Sequence, residues 1–238
     1  TTLAFVASRE DGNKELQFYR HPGADMKLSR DDVDREIISN AELLHFGSFS
    51  LASNPVREAT MFAVESAASA GTIISYDPNV RLDIWDNEIE AKLWIQKALS
   101  FADIVKVADE EWEFVTETDN LEKGCEYLLD IGAKLVIVTF GSEGSFYCNR
   151  NGSLRLPSFN VGSIDTLGAG DSFISAVLSR LILDGHLDHL DKITSAEMNK
   201  ILEFASAAAA ITTTKMGVIH ALPDKTEIEE FLKRNNLG

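Results

Sequence analysis

The sequence predicts an α/β fold, one large domain built around a mainly parallel sheet, with a small β appendage at its beginning. Three observations carry this reading. Between residues 29 and 139, apolar strand-like runs alternate with segments of helical period. Strands separated by helices imply a parallel sheet covered on both faces. The first 21 residues instead hold two β-rich runs joined by REDGN, whose Asp-Gly pair is a hairpin signal. Finally, 238 residues with 45% hydrophobic content are enough for a buried core, and no linker, repeat or low-complexity tract divides them.

Taken in order, TTLAFVAS and KELQFYRH are antiparallel strands. SRDDVDREIISN reads as a helix with an acidic first turn, and AELLHFGSFS as a buried strand ending at Gly47. The rhythm repeats with a helix in NPVREATMFAVESAASAG, a strand in TIISYD, a helix in DNEIEAKLWIQKALSFA and a strand in DIVKVA. A helix in CEYLLDIGA and a strand in KLVIVTF follow. SFYCNR and SLRLPSFNV form a second hairpin, so Asn151-Gly152-Ser153 is read as its turn rather than as a glycosylation acceptor. Long helices occupy about 171 to 184 and 197 to 213. In open α/β sheets ligands bind beyond the carboxyl ends of the strands. That rule singles out HFGSFS, DPNVR, KVADEE, FGSEG and DTLGAGD.

Composition narrows the partners. A formal charge of -16 repels polyanions, which argues against nucleic acid. No run of 18 apolar residues is present and the start lacks the zones of a signal peptide, so the cytoplasm is the expected compartment. Cys125 and Cys148 have no metal-ligand spacing and are read as two buried thiols without chemistry.

The segment DTLGAGD, residues 165 to 171, stands directly before the apolar run SFISAVLSRLIL. Gly168 and Gly170 permit close backbone approach, so the amides of Gly168, Ala169 and Gly170 can face an anion ahead of the helix. Asp171 admits two roles, a helix N-cap or a base that accepts a proton from a hydroxyl attacking phosphorus. A dinucleotide fingerprint would need glycine where Phe173 stands, and the Gly-Lys pair of a P-loop occurs nowhere.

DTLGAGDSF resembles the carboxyl-terminal signature of the PfkB, or ribokinase-like, sugar kinases. SYDPNVR, VTFGSEGSF and FYRHPGADMKL support the resemblance in the family's order over essentially the whole chain, most like bacterial fructokinases. It implies a three-layer ribokinase-like sandwich, with residues 1 to 21 as part of a β lid and 22 to 238 as the kinase core. It also implies ATP-dependent phosphorylation of a monosaccharide hydroxyl, D-fructose to fructose 6-phosphate, with Asp171 as general base. Gly141, Ser142 and Gly144 would meet the nucleotide, although GSEG alone is equally an ordinary turn. Lys106 would approach phosphate. Asn79 and Arg81 would face the sugar and the transferred group, although without the rest of the pattern a Pro-Asn turn with a solvated arginine is the preferred reading. Tyr19 and Arg20 resemble lid residues, with Tyr19 as a cover for the core the other reading. The family's NxxE motif would place Glu111 near Mg²⁺ through water, but Ala108 stands where its asparagine belongs. The Asp165 carboxylate, with carbonyls between Thr212 and Ala221, would hold a monovalent cation such as K⁺.

Family members begin before their lid, with a Gly-Gly pair, an asparagine and a sugar-binding aspartate. None of these precedes TTLAFVAS, and the natural protein is expected to be longer. Because an isolated hairpin is marginal, a homodimer through the β lid is expected. Alternatives are a 2-keto-3-deoxygluconate kinase or other ribokinase-like kinase, which differ in the sugar pocket, and a non-catalytic sugar- or nucleotide-binding regulator. An oxidoreductase would need the absent fingerprint.

Overall fold

The structure, a computed structural model, describes residues 2–8, 14–20 and 23–235. It divides into two compact units, Thr1–Ala102 and Asp103–Gly238.

In the first unit, β1 (Leu3–Ser8) and β2 (Lys14–Tyr19) are antiparallel, with Leu3 opposite Tyr19. The REDGN turn lies outside the described residues. Strand alternation puts Phe5 and Tyr19 on one face, where their rings meet edge-on at 5.5 Å. Phe18 turns to the other face and meets Phe49 at 5.2 Å. The helix expected in SRDDVDREIISN is shorter than its pattern, because its acids serve two separate caps. Asp32 accepts hydrogen bonds from the Ser29 backbone at 2.8 Å and hydroxyl at 2.7 Å, closing one 3₁₀ turn over Arg30–Asp32. Asp34 then caps α1 (Arg35–Ser39) by accepting from the amides of Glu36 and Ile37.

β3 (Leu43–Gly47) runs parallel to β4 (Ile73–Asp77), with Leu43 opposite Ile73 and Gly47 opposite Asp77. β4 is buried along most of its length, whereas β3 is half-buried with His45 exposed, less enclosed than its apolar sequence suggested. Between them, α2 (Val56–Ala70) ends at Gly71, whose left-handed φ of 77° lets the chain turn back. α3 (Glu88–Leu99) is capped by Asn87, which accepts from the Glu90 amide. Arg57 joins these helices through a 2.7 Å ion pair to Glu90. Val64, Ala67 and Ile74 form an apolar centre against Ile38, Leu44, Phe46 and Phe101.

In the second unit, β5 (Ile104–Ala108) runs directly into α4 (Asp109–Thr116), a helix where the sequence reading had a loop. Its acidic first turn hid the pattern, yet Trp112 and Val115 are buried at the i, i+3 spacing of one helical face. α5 (Leu121–Asp130) leads to β6 (Leu135–Thr139), parallel to β5. β7 (Ser145–Asn149) pairs antiparallel with β6 and with β8 (Gly152–Leu156). Asn149 faces Gly152, so Arg150 and Asn151 form the tight turn expected there. α6 (Ala169–Leu183) packs along α7 (Ser195–Thr213), and α8 (Lys225–Asn235) completes the unit. Cys125 and Cys148 are buried free thiols, as expected. A hydrogen bond to Cys148, together with burial, pushes the Cys125 thiol far above its ordinary range. Among the described residues no helix is long and apolar enough to cross a membrane.

Candidate active site

The second unit assembles the DTLGAGD residues around the start of α6. Gly168 is the N-cap, with φ 77° and ψ -1°. A side chain there would be strained by that backbone, and its Cβ would lie 2.7 Å from Val218 Cγ1. Glycine is therefore required twice over. The Ala169 amide turns to the Thr166 carbonyl at 3.3 Å, and the Ser172 amide closes the first helical turn on the Gly168 carbonyl at 2.8 Å. The amides of Gly170 and Asp171 belong to the first-turn donors that find no carbonyl within a helix. They point out of the positive end of a 15-residue helix. Because Gly168 holds the cap, Asp171 is the third residue of the helix and does not cap it. Its carboxylate is exposed.

Gly170 needs no special dihedral; it keeps space open. A Cβ at this position would stand 3.6 Å from Lys106 Nζ. Lys106 comes from the middle of β5 and is 6% exposed, so the strand delivers a buried ammonium to the mouth of the helix. Asp165 braces the other side. Its Oδ1 accepts from the Leu167 amide at 3.0 Å and its Oδ2 from the Gly217 amide at 3.1 Å, although the residue is 4% exposed. Its own amide donates to the Thr213 carbonyl, which also receives the Ile164 amide.

Glu111 is buried, and its Oε1 accepts from the Ala108 amide at 3.0 Å. It thus satisfies the Ala108 amide at the start of α4, whereas alanine offers no side-chain acceptor for the amides that follow. Ahead of it, a hydrogen bond to Asp109 and then burial push the Glu110 carboxyl up, with Lys106 offsetting part of that shift. The FGSEG loop is a self-bonded turn between β6 and β7, in which the Phe140 amide donates to the Gly144 carbonyl at 2.8 Å. Gly144, at φ 103°, has no room for a side chain, since its Cβ would fall 1.9 Å from the Leu156 carbonyl oxygen. Gly141 has a left-handed φ of 53° and open space around it, and Ser142 is exposed.

The first unit holds the remaining candidates. Beyond β4, Asn79 adopts a left-handed φ of 43°, and Arg81 donates to the Val80 carbonyl at 2.7 Å. Tyr19 is 59% exposed and so does not cover the core. Arg20 lies over the Phe49 ring, 4.1 Å from its centroid, and pairs with Asp25.

The structure thus groups Lys106, Asp165, Gly168, Gly170 and Asp171 within one unit. Sequence reasoning missed Asp25 and Val218. It also missed that Met216, Val218 and Ile219 present an apolar surface in the segment that braces Asp165. Met216 and the adjacent Val218 and Ile219 in the loop TTTKMGVIHALP were the available signal for that surface.

Residues 1–225 match the family described as pfkB family carbohydrate kinase. "Probable fructokinase-3" of Arabidopsis thaliana is 42% identical over 234 residues, covering 98% of this chain and 67% of that protein. "Fructokinase-1" of Zea mays is 41% identical, covering 98% of this chain and 72% of that one. A crystal structure of fructokinase with bound ATP from Xylella fastidiosa superposes with a TM-score of 0.86 at 27% identity, covering 99% of this chain and 74% of that chain. A Vibrio cholerae O395 fructokinase bound to fructose, ADP and calcium ion gives 0.82 at 30% identity, covering 96% of this chain and 73% of that chain. The fold is therefore the α/β, ribokinase-like fold of these kinases, and the chain belongs to the pfkB family of carbohydrate kinases.

Proposed function

We propose that this kinase transfers the γ-phosphoryl group of ATP to a hydroxyl of D-fructose, giving fructose 6-phosphate and ADP in the cytoplasm. The observation that carries the reading is the start of α6, where a left-handed Gly168, an open Gly170, buried Lys106 and exposed Asp171 surround one helix N-terminus. Such an end is suited to phosphate oxygens. Asp171 takes the proton of the attacking hydroxyl, an oxygen–phosphorus bond forms, and the bond to the ADP oxygen breaks. The Gly168 to Gly170 segment and the Lys106 ammonium counter charge spreading over the phosphoryl oxygens. Gly141, Ser142 and Gly144 contact the nucleotide, and the exposed surface of Met216, Val218 and Ile219 suits the face of its base.

Mg²⁺ would neutralise the phosphates when bound. Among the described residues no three carboxylates gather to bind an ion directly, so Mg²⁺ would be held mainly by the phosphates, with Glu111 acting through water. The Asp165 carboxylate, held between the Leu167 and Gly217 amides, is a hard oxygen donor of the kind K⁺ takes, whereas the Thr213 carbonyl already accepts two amides. In the first unit, Tyr19, Arg20, Asn79 and Arg81 meet the sugar and the transferred group. Residues 1–21 act as part of a lid over the core of residues 22–238. The exposed Leu3, Phe5, Val6 and Tyr19 of the hairpin support a homodimer formed through it, for which light scattering should return twice the chain mass.

The test is fructose 6-phosphate formation from D-fructose, ATP, Mg²⁺ and K⁺, followed by mass spectrometry, beside the Asp171→Asn variant. Turnover should fall in the variant by on the order of 10² to 10⁴-fold. A variant as active as the parent would refute the role of the base, and ATP binding without fructose turnover would refute the substrate.

A further inference from the structure

Arg20 is a nearly enclosed cation whose charge is already balanced. Its side chain is 9% exposed, and Nη2 lies 3.2 Å from Asp25 Oδ2. Nε approaches the same oxygen at 3.4 Å, so Asp25 occupies the edge of the guanidinium formed by Nε and Nη2. Two parallel hydrogen bonds along such an edge are how arginine grips a free carboxylate. The guanidinium itself lies over the Phe49 ring. Asp25 is fixed in turn, since the Thr2 hydroxyl donates to its Oδ1. Gly23 leaves the room this needs, because a Cβ there would fall 2.5 Å from Asp25 Oδ1 and 2.6 Å from both Thr2 Oγ1 and the Arg20 carbonyl oxygen. Burial pushes the Asp25 carboxyl up, but hydrogen bonds from Thr2 and Arg20 and the Arg20 charge outweigh it and hold the carboxyl below its ordinary range.

We propose that Asp25 is a specificity-determining positioning residue, which cancels the charge of Arg20 and covers its carboxylate-gripping edge, so that the site accepts neutral sugars and rejects monocarboxylic sugar acids. The proposal rests on the reading of Arg20 as a residue that meets the sugar. A sugar acid would have to share one guanidinium with Asp25, placing two negative charges on the same cation. A neutral ketose avoids that conflict, because a remaining N–H needs only a hydroxyl oxygen as acceptor.

Isothermal calorimetry on the full chain should compare D-fructose with 2-keto-3-deoxy-D-gluconate, with kcat/KM measured for both. Asp25→Asn keeps the shape and one acceptor oxygen for Arg20, exchanges the other for an amide donor whose hydrogen bond the Thr2 hydroxyl can accept, and removes the charge. It should move the affinity ratio towards the acid by on the order of 10- to 100-fold, the scale of one charge interaction across a few ångströms of partly screened protein. Asp25→Glu should keep the preference for fructose, and Arg20→Gln added to Asp25→Asn should abolish the gain. An unmoved ratio in Asp25→Asn, or a gain that survives without Arg20, overturns the proposal. A shifted ratio in protein that does not phosphorylate fructose supports the charge pair and counts against the fructose reading alone. Binding of neither sugar by any of these proteins overturns both.

Discussion

Replacing Gly168 with alanine tests the geometry of the anion-binding turn most directly. Its φ of 77° is a left-handed conformation, which costs a residue with a Cβ about 1–2 kcal/mol. That Cβ would also stand 2.7 Å from Val218 Cγ1, closer than carbon atoms tolerate, and crowding of this kind adds about 1–3 kcal/mol. The two effects sum to about 2–5 kcal/mol of lost stability, readable as a fall in the urea midpoint at unchanged slope. They are separable. Val218→Ala removes the atom in the way but leaves the dihedral strained, so the double variant should recover the crowding portion and keep a deficit of about 1–2 kcal/mol. Activity should follow the geometry, because displacing the turn moves the amides of Gly170 and Asp171 together. A displacement approaching 1 Å is worth on the order of 10²-fold in kcat. A Gly168→Ala protein within about 0.5 kcal/mol of the parent and fully active would refute this account, since surface substitutions away from such features fall in that range.

Other predictions follow from the same contacts. Lys106→Met should keep the fold and lower kcat by on the order of 10²-fold or more, as removal of one stabilising group at a developing charge does, and steady-state kinetics would show it. Gly124→Ala should destabilise by about 1–3 kcal/mol, since the new Cβ would sit 2.3 Å from the Trp112 ring and a rigid indole cannot step aside. Thermal unfolding monitored by tryptophan fluorescence checks that. The carboxyls of Asp32, Glu197 and Glu227 are all held below their ordinary range, chiefly by hydrogen bonds from Ser29, Thr194 and Asp224 respectively. Depressed pKa values stabilise the fold fully above the unfolded-state range, about pH 4, and that stability is lost as pH falls through the folded-state values. The urea midpoint should therefore show no loss from these groups between pH 7 and 5 and should drop below pH 4. Glu197→Gln should reduce the drop, and an equally steep one would refute its share.

Much of this was legible in local patterns. Most strands and helices from α2 to α7 announced themselves through apolar period, and the Gly168 turn through DTLGAGD, because each depends on residues close in sequence. What escaped had another origin. α4 was missed because its first turn, Asp109 to Glu111, looks like a loop, and only the burial of Trp112 and Val115 makes it a helix. The expected helix at 29 to 40 shrank because Asp32 and Asp34, two residues apart, each cap a different turn. The neighbourhood of Lys106 and Gly170 joins positions far apart in the chain, and no spacing rule encodes it. Nor could local sequence show that Asp165 would clamp Gly217, since that bond closes across all of α6 and all of α7. The sequence allows Asp171 to cap the helix or to act as a base; the cap at Gly168, three residues earlier, removes the first role.

The alanine run of α7 bears on how the phosphate end of α6 is held. Ala205, Ala207 and Ala208 are buried in this helix, which lies along α6, and the Thr212 hydroxyl donates to the Ser172 hydroxyl at 2.9 Å between them. Alanine has no rotamers to surrender on burial, whereas a long side chain in its place forfeits up to about 2 kcal/mol of conformational entropy. The support behind the helix mouth is thus assembled from parts that had little freedom to lose. Its rigidity comes from the backbones themselves, so the alignment of the Gly170 and Asp171 amides does not wait on the ordering of flexible side chains when a phosphate arrives.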